Sequence, residues 1–380
     1  MKGKVRVAVA GLRFGSVFPA IYMDHPDVEY VGICDVNPKV LKECGDRFGI
    51  ERRHENLRDV IASPDYDAVH LITPIPFHEE QAVAVLESGK HCACTVPAAT
   101  TLEGLRRIVR AERESGRNYM MMETAVYTRQ FLYAKELLRE GRIGRIQFLR
   151  GAHYQDMEGW PDYWRGLPPM HYATHAISPL LCIAGTRAET VHCFGSGAMR
   201  DELKVLYGNP YPVETAIFRL EGEALCAEAT RSLFHTARDY LESFNVYGEK
   251  GTFEWFMEKE APVFHEADRV ADRWGEEREI TARRLEIPDF AGMLPPEIAH
   301  HTRERVVLDP EHPDRAYVQG GGHHGSHPHL VHEFVRSIVE GRPSAIGAVT
   351  AADWTAAGVC AHQSALQGGG EVAVPSFRTR

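Results

Sequence analysis

The chain has 380 residues, enough for about two domains with buried cores. Its formal charge of −10 and the lack of any basic run argue against a nucleic-acid surface. No apolar stretch approaches the length of a membrane span. The eight cysteines are scattered without a C-x-x-C pair, and the start, MKGKVRVAVAG, enters a strand at once, so a cytoplasmic protein with reduced thiols is expected.

Val5 to Ala10 is a short apolar run ended by Gly11, as suits a buried parallel strand. Gly11 and Gly15 open a turn from which Val17 to Met23 continues as a helix, and amides at such a start favour a pyrophosphate. The Gly-x-Gly-x-x-Gly pattern is incomplete, with Arg13 and Ser16 where glycines would stand. Ser16 is small enough for close helix–strand packing, whereas Arg13 either turns outward or touches the cofactor. A second apolar run, Tyr30 to Cys34, ends in Asp35, about 20 residues past the turn, where a carboxylate bonds ribose hydroxyls and repels a 2′-phosphate. The segment predicts NAD rather than NADP, with Gly11, Arg13, Phe14, Gly15, Ser16 and Asp35 at the cofactor. A glycine turn without a ligand is the alternative.

Strands and helices alternate to about Glu123: helix Pro38 to Phe48, strand Asp67 to Ile72, helix Glu79 to Glu87, strand His91 to Cys94, helix Leu102 to Ser115, strand Tyr119 to Met122. Such repetition predicts an α/β chain whose residues 1–125 form a Rossmann-type, doubly wound parallel sheet. Ligands meet such sheets at the carboxyl ends of the strands, which brings Thr73, Pro74, His78, Thr95, Pro97 and Glu123 to the cofactor side. After a helix at Gln130 to Glu140 the pattern changes. Ile146 to His153, Thr190 to Phe194, Val213 to Leu220, Leu225 to Ser232, Tyr240 to Gly248 and Gly251 to Phe256 read as strands. Residues 126–380 are therefore expected to form a second α/β domain with a large open, mainly antiparallel sheet. Glu258 to Val318 is charged, proline-bearing and weakly periodic, and reads as a long excursion at about 258–320. It closes into GGGHHGSHPH (Gly320 to His329). Helices His329 to Glu340 and Thr350 to Leu366 follow, expected to pack back toward the first domain, and then a short strand near Val372. The open sheet face predicts a homo-oligomer, dimer or tetramer.

This layout resembles the Gfo/Idh/MocA family, in the Gly11 turn, ICDVNP (Ile33 to Pro38), ITPIPFH (Ile72 to His78), GKH (Gly89 to His91) and the closing EGRPSAIGAVTAADWTAAGVCAHQSALQGG. The resemblance implies an NAD-dependent enzyme acting on a sugar. Family dehydrogenases usually carry Glu-Lys-Pro after GKH; here Thr95, Val96 and Pro97 stand there, and Val96 cannot hold a hydroxyl. The family's Asp and His, four apart, become His171 and His175, and Ile75 stands where Asn is common. A narrower likeness accounts for these departures. MHYATHAISP (Met170 to Pro179), MMMETAVY (Met120 to Tyr127) and GGGHHG (Gly320 to Gly325) resemble segments of the family's NAD-dependent glycoside hydrolases, typified by bacterial α-N-acetylgalactosaminidases, which also lack the lysine. By that likeness Glu123, Tyr172 and His175 carry over as site residues, and the catalytic tyrosine of those enzymes aligns with His153, beside Tyr154.

Pro168 and Pro169 suit the first turn of a helix. On such a helix His171, Tyr172 and His175 share a face. A neutral imidazole accepts a hydroxyl proton at working pH, so His175 is the expected base, with Tyr172 as hydroxyl handle or second acid. A satisfied core histidine is the alternative. His171 and His175 also have the spacing of a helical metal pair that His153, Asp156 or Glu158 would complete; adjacent segments satisfy the same histidines without metal, and none is assigned. The His323, His324, His327, His329, His332 cluster reads as a ligand-contacting loop or as a solvated start of a helix. The aromatic run Asp156 to Pro169 suits a sugar face or a domain interface. The expected function is hydride transfer at a ring carbinol of a sugar or glycoside, with transient C3 oxidation leading to glycosidic cleavage. The alternatives are a net sugar or cyclitol dehydrogenase and a non-catalytic sugar- or NAD-binding regulator.

Overall fold

Six strands, five of them largely buried runs and one a two-residue polar edge strand, make a parallel sheet covered on both sides. In the computed structural model, which describes residues 3–378 except 223, 239, 258, 268–278 and 308–315, they are β1 (Val5–Ala10), β2 (Val28–Cys34), β3 (Arg53–His54), β4 (Ala68–Leu71), β5 (His91–Cys94) and β6 (Tyr119–Met121). They pair in parallel in the order β3-β2-β1-β4-β5-β6. The order reverses beside β1, so the turn after β1 lies at the switch point where such sheets bind ligands. The helices between them start and stop by local chemistry. Asn37 caps Pro38–Phe48 by accepting from Lys39 N and Val40 N, and Thr101 caps Leu102–Ser115 by accepting from Gly104 N. Both helices end on a left-handed glycine, Gly49 and Gly116.

The chain divides into two compact units. The first holds residues 1–128, 289–352 and 377–380, the second 129–288 and 353–376. The second unit is built on β7 (Ile146–Tyr154), β8 (Ala188–Ser196), β9 (Val213–Leu220), β10 (Cys226–Ser232), β11 (Leu241–Gly248), β12 (Gly251–Trp255), β13 (Val263–Ala267) and β14 (Ile280–Arg284). β15 (Arg305–Val307) and β16 (Tyr317–Gln319) pair as a separate two-stranded sheet in the first unit, and with β17 (Val372–Ala373) at the far edge the large sheet runs β14-β13-β12-β11-β7-β10-β9-β8-β17. Every pair is antiparallel except β10 with β7. The expected α/β class with two such sheets is what the chain adopts. The segment expected as an excursion is regular in places, since β13 and β14 extend the large sheet; residues 258, 268–278 and 308–315 of it lie outside the described residues. Among the described residues no helix is long and apolar enough to cross a membrane.

In β7, Leu149, Gly151 and His153 form the inward row. A Cβ on Gly151 would sit 2.1 Å from the Ala176 carbonyl, so glycine there lets helix Thr174–Ala184 lie directly on the strand. That close approach brings the start of the helix down to His153.

Candidate active site

In the first unit the turn after β1 is shaped by a close backbone approach and by one carboxylate. Gly11 has φ +90°, and a Cβ there would lie 2.3 Å from the Ile72 carbonyl oxygen; only glycine tolerates both. Leu12 N donates to Asp35 Oδ2 at 2.7 Å and Asn37 N to Asp35 Oδ1 at 2.8 Å. A carboxylate has about four acceptor positions, so Asp35 is fixed and still has capacity for two hydroxyls. Phe14–Val17 is a short 3-10 turn and the α-helix proper is Phe18–Asp24, a little later than the spacing predicts. Arg13 turns outward, Phe14 is half exposed and Gly15 is buried against Ile72. Ser16 bonds back to the Arg13 carbonyl.

The glycine-histidine loop comes to this turn. His323 and His327 each lie edge-on to Phe14 with centroids 6.0 Å away, and His323 and His324 adopt positive φ before the regular helix that ends at Glu340. His78 is fully buried, with Nδ1 2.8 Å from the Pro97 carbonyl and Nε2 2.8 Å from the Thr73 carbonyl. It ties together the turns that end β4 and β5, which carry Thr73, Pro74, Thr95 and Pro97. Glu123, buried at the end of β6, accepts from Ala125 N. The glycine cradle and the held Asp35 fit a dinucleotide.

In the second unit four inward polar residues form one row across neighbouring strands. The register pairs Glu214 with Arg231, Arg231 with His153 and His153 with Glu242, and all four are buried. Each end of the row grips the segment lying over the sheet. Glu214 accepts from Met170 N at 2.9 Å and contacts His362 Nδ1 at 2.7 Å. Arg231 donates to the Tyr172 carbonyl at 2.8 Å, the His153 carbonyl at 2.9 Å, the Ser232 carbonyl and Gln155 Oε1. Burial pushes its guanidinium down to about 10, so it stays charged at neutral pH. Glu242 Oε1 lies 3.3 Å from His175 Nδ1.

The row gathers an aromatic and imidazole cluster. His153 lies 5.0 Å from His175, 6.1 Å from Tyr172 and 5.2 Å from Tyr240 between ring centroids, and Tyr172 lies 5.6 Å from His175. Trp164 packs edge-on against Tyr172 at 4.8 Å, so the aromatic run contributes at least this wall.

One expectation needs correction. His171, Tyr172 and His175 do not share one helix. Pro169–Tyr172 is a 3-10 turn, Ala173 leaves helical geometry at φ −111° and ψ 8°, and the α-helix starts at Thr174. His171 therefore faces His362, 5.0 Å away, rather than the His153–Tyr172–His175 cluster, and burial pushes it down to about 3. The helical metal pair does not form. Glu158 is bonded to Arg200, and Asp156 caps the Glu158 amide. Sequence reasoning missed Glu214, Arg231, Tyr240 and Glu242. For Glu214, Arg231 and Glu242 the signal is a polar residue in the inward phase of a strand, as in Glu214 with Ala216, Phe218 and Leu220, whereas Tyr240 precedes β11 and carries no such mark.

Residues 5–123 match the oxidoreductase family model described as an NAD-binding Rossmann fold, and residues 131–254 match the Gfo/Idh/MocA C-terminal domain. The chain belongs to the Gfo/Idh/MocA family. It is thus an enzyme with NAD as its cofactor, in agreement with the glycine turn and Asp35. Levoglucosan dehydrogenase of Pseudarthrobacter phenanthrenivorans is 29% identical over 274 residues, 64% of this chain and 69% of that protein. A glycosyl hydrolase family 109 protein of Stenotrophomonas maltophilia is 22% identical over 432 aligned positions, 98% of this chain and 89% of that protein. Among solved structures, levoglucosan dehydrogenase in complex with NADH and levoglucosan superposes with a TM-score of 0.76 at 22% identity, covering 98% of this chain and all of that one. The Gfo/Idh/MocA chain thus shares its fold with a sugar dehydrogenase and much of its sequence length with a glycosyl hydrolase.

Proposed function

We propose that this Gfo/Idh/MocA enzyme acts on a sugar or glycoside at a ring carbinol, with transient C3 oxidation leading to cleavage of the glycosidic bond. The observation that carries the reading is the buried Glu242–His175 contact beside Tyr172 and His153. A buried carboxylate 3.3 Å from Nδ1 favours the tautomer with its proton on Nδ1, which leaves Nε2 as the proton acceptor. His175 is then the base for the carbinol hydroxyl, worth about 10²–10⁴ in rate for a positioned group of this kind. Tyr172 is held through its main chain by Arg231 and offers a hydroxyl to the same substrate group. His153 is the second imidazole, suited to take the C–H proton next to a ring ketone. Gly11, Arg13, Phe14, Gly15, Ser16 and Asp35 would hold the dinucleotide, with Thr73, Pro74, His78, Thr95, Pro97 and Glu123 shaping its nicotinamide side. When bound, NAD supplies the hydride acceptor and donor for the cycle.

Net dehydrogenation is the second reading, favoured by the 29% identity to levoglucosan dehydrogenase. The replacement of the family lysine by Val96 favours the hydrolytic one. Purified protein without added cofactor is tested against glycosides and free sugars, following sugar release together with reduced-nicotinamide absorbance at about 340 nm. Sugar release without accumulating NADH is expected. NADH accumulating only with free sugar and added NAD makes the enzyme a dehydrogenase, and neither signal across the panel defeats both readings.

A further inference from the structure

Asp24 ends helix Phe18–Asp24, while His300 and His301 open the 3-10 turn His300–Thr302; all three belong to the first unit. Neighbouring side chains of a 3-10 turn ordinarily diverge by roughly 120°. Here both imidazoles aim the same nitrogen at one carboxylate oxygen. Asp24 Oδ2 is 2.8 Å from His301 Nε2 and 3.4 Å from His300 Nε2, and the ring centroids are only 4.0 Å apart. The three donor atoms lie within 4.8 Å of one another. A tetrahedral Zn²⁺ with bonds of about 2.0–2.1 Å spaces its donors about 3.3 Å apart, which is the scale of this triangle.

The chemistry of the donors agrees. Burial pushes His301 down to about 4, and His300 is lowered by burial first and by Arg305 next. Both rings are neutral at pH 7, the form that ligates metal. Each also has a contact behind it of the kind that orients ligand rings: Gln319 Nε2 lies 3.4 Å from His301 Nδ1, and the Glu297 main chain bonds His300. Ligation through Nε2 requires the Nδ1–H tautomer of His301, so Gln319 must turn its carbonyl oxygen to that proton and release its 3.0 Å bond to Val17 O. Arg305 is the opposing charge nearby.

We propose that Asp24, His300 and His301 form a Zn²⁺ site with three protein ligands and a fourth, solvent-facing position, Asp24 and His300 both being partly exposed. The ion fastens the end of the first helix after the glycine turn to the His300–Thr302 turn. The test adds Zn²⁺ alone to the full-length protein stripped with chelator, then measures retained metal after desalting and the thermal midpoint. One equivalent retained with a raised midpoint is expected. Asp24→Asn and His300→Ala, both at exposed positions, should each weaken binding at least tenfold, whereas His192→Gln should not. Co²⁺ in place of Zn²⁺ should give the visible bands of a tetrahedral centre in the parent protein and in neither site variant. Absence of retained Zn²⁺, or retention undiminished in both site variants, overturns the proposal and leaves Asp24 as a hydrogen-bond acceptor only.

Discussion

Glu242 Oε1 lies 3.3 Å from His175 Nδ1, and both side chains are buried. Glu242 also stands directly across the strand pair from His153, so one carboxylate sits beside two imidazoles. Glu242→Gln keeps the volume but lets an amide N–H face Nδ1, which favours the wrong tautomer. Turnover should fall about 10²-fold or more while NAD affinity, carried by the first unit, stays within twofold. Steady-state kinetics paired with a cofactor titration checks this. An unchanged kcat would remove Glu242 from the proton chemistry.

Asp35 accepts from Leu12 N and Asn37 N, so it shapes the turn as well as standing where a ribose is proposed to bind. Asp35→Ala should weaken NAD about 10- to 100-fold, equivalent to about 1.4–2.7 kcal/mol, and should narrow the preference over NADP because the repelling charge is gone. Calorimetric titration with each dinucleotide reads both effects. Equal loss for NAD and NADP would mean that Asp35 acts only on the turn.

Apart from the two-residue edge strand β3, the parallel sheet was readable because its strands are mainly apolar runs separated by capped helices, with Asn37 and Thr101 at the starts and Gly49 and Gly116 at the ends. The glycine turn and Asp35 were readable for the same local reason. His153, Tyr172 and His175 do meet, but by a different route from the one their spacing suggests. Helical periodicity across Met170–His175 ignores the break at Ala173, which arises because the Met170 amide is taken by Glu214 and the Tyr172 carbonyl by Arg231. Those partners are 44 and 59 residues away in the chain. Spacing within one segment carries no trace of them. What the sequence does carry is Glu214, Arg231, His153 and Glu242 each at an inward strand position. Their alignment depends on the register of four strands, including the one parallel pair.

Arg231 is wholly buried and bonded to the main chain of both His153 and Tyr172. Arg231→Met fits the space but takes one charged donor from each of those carbonyls, at about 1–3 kcal/mol each. A loss of at least about 3 kcal/mol in urea unfolding is expected. Arg231→Lys, with a single donor centre, should fall between. Turnover should drop further than stability accounts for under conditions where the variant is fully folded, because Tyr172 is released. A variant as stable as the parent would show that the four contacts are dispensable.

Buried histidines, His70, His171 and His329 among them, set the acid limit of the fold. Burial pushes His70 and His171 down to about 3 and His329 down to about 4. In the unfolded chain each takes a proton near pH 6.5. Above that pH neither state is protonated and the three exert no penalty. As pH falls from about 6.5 toward 4 the unfolded state gains protons that the folded state refuses. Stability therefore declines by about 1.4 kcal/mol per pH unit for each histidine. Urea midpoints followed by circular dichroism should drop sharply between pH 7.0 and 5.0 and stay nearly level between pH 7.0 and 8.0. His171→Gln, which cannot titrate, should flatten the slope of the transition that reports on the second unit. A midpoint indifferent to pH across this window would mean that these imidazoles reach solvent or gain a compensating carboxylate, and the burial argument for His171 would fall with it.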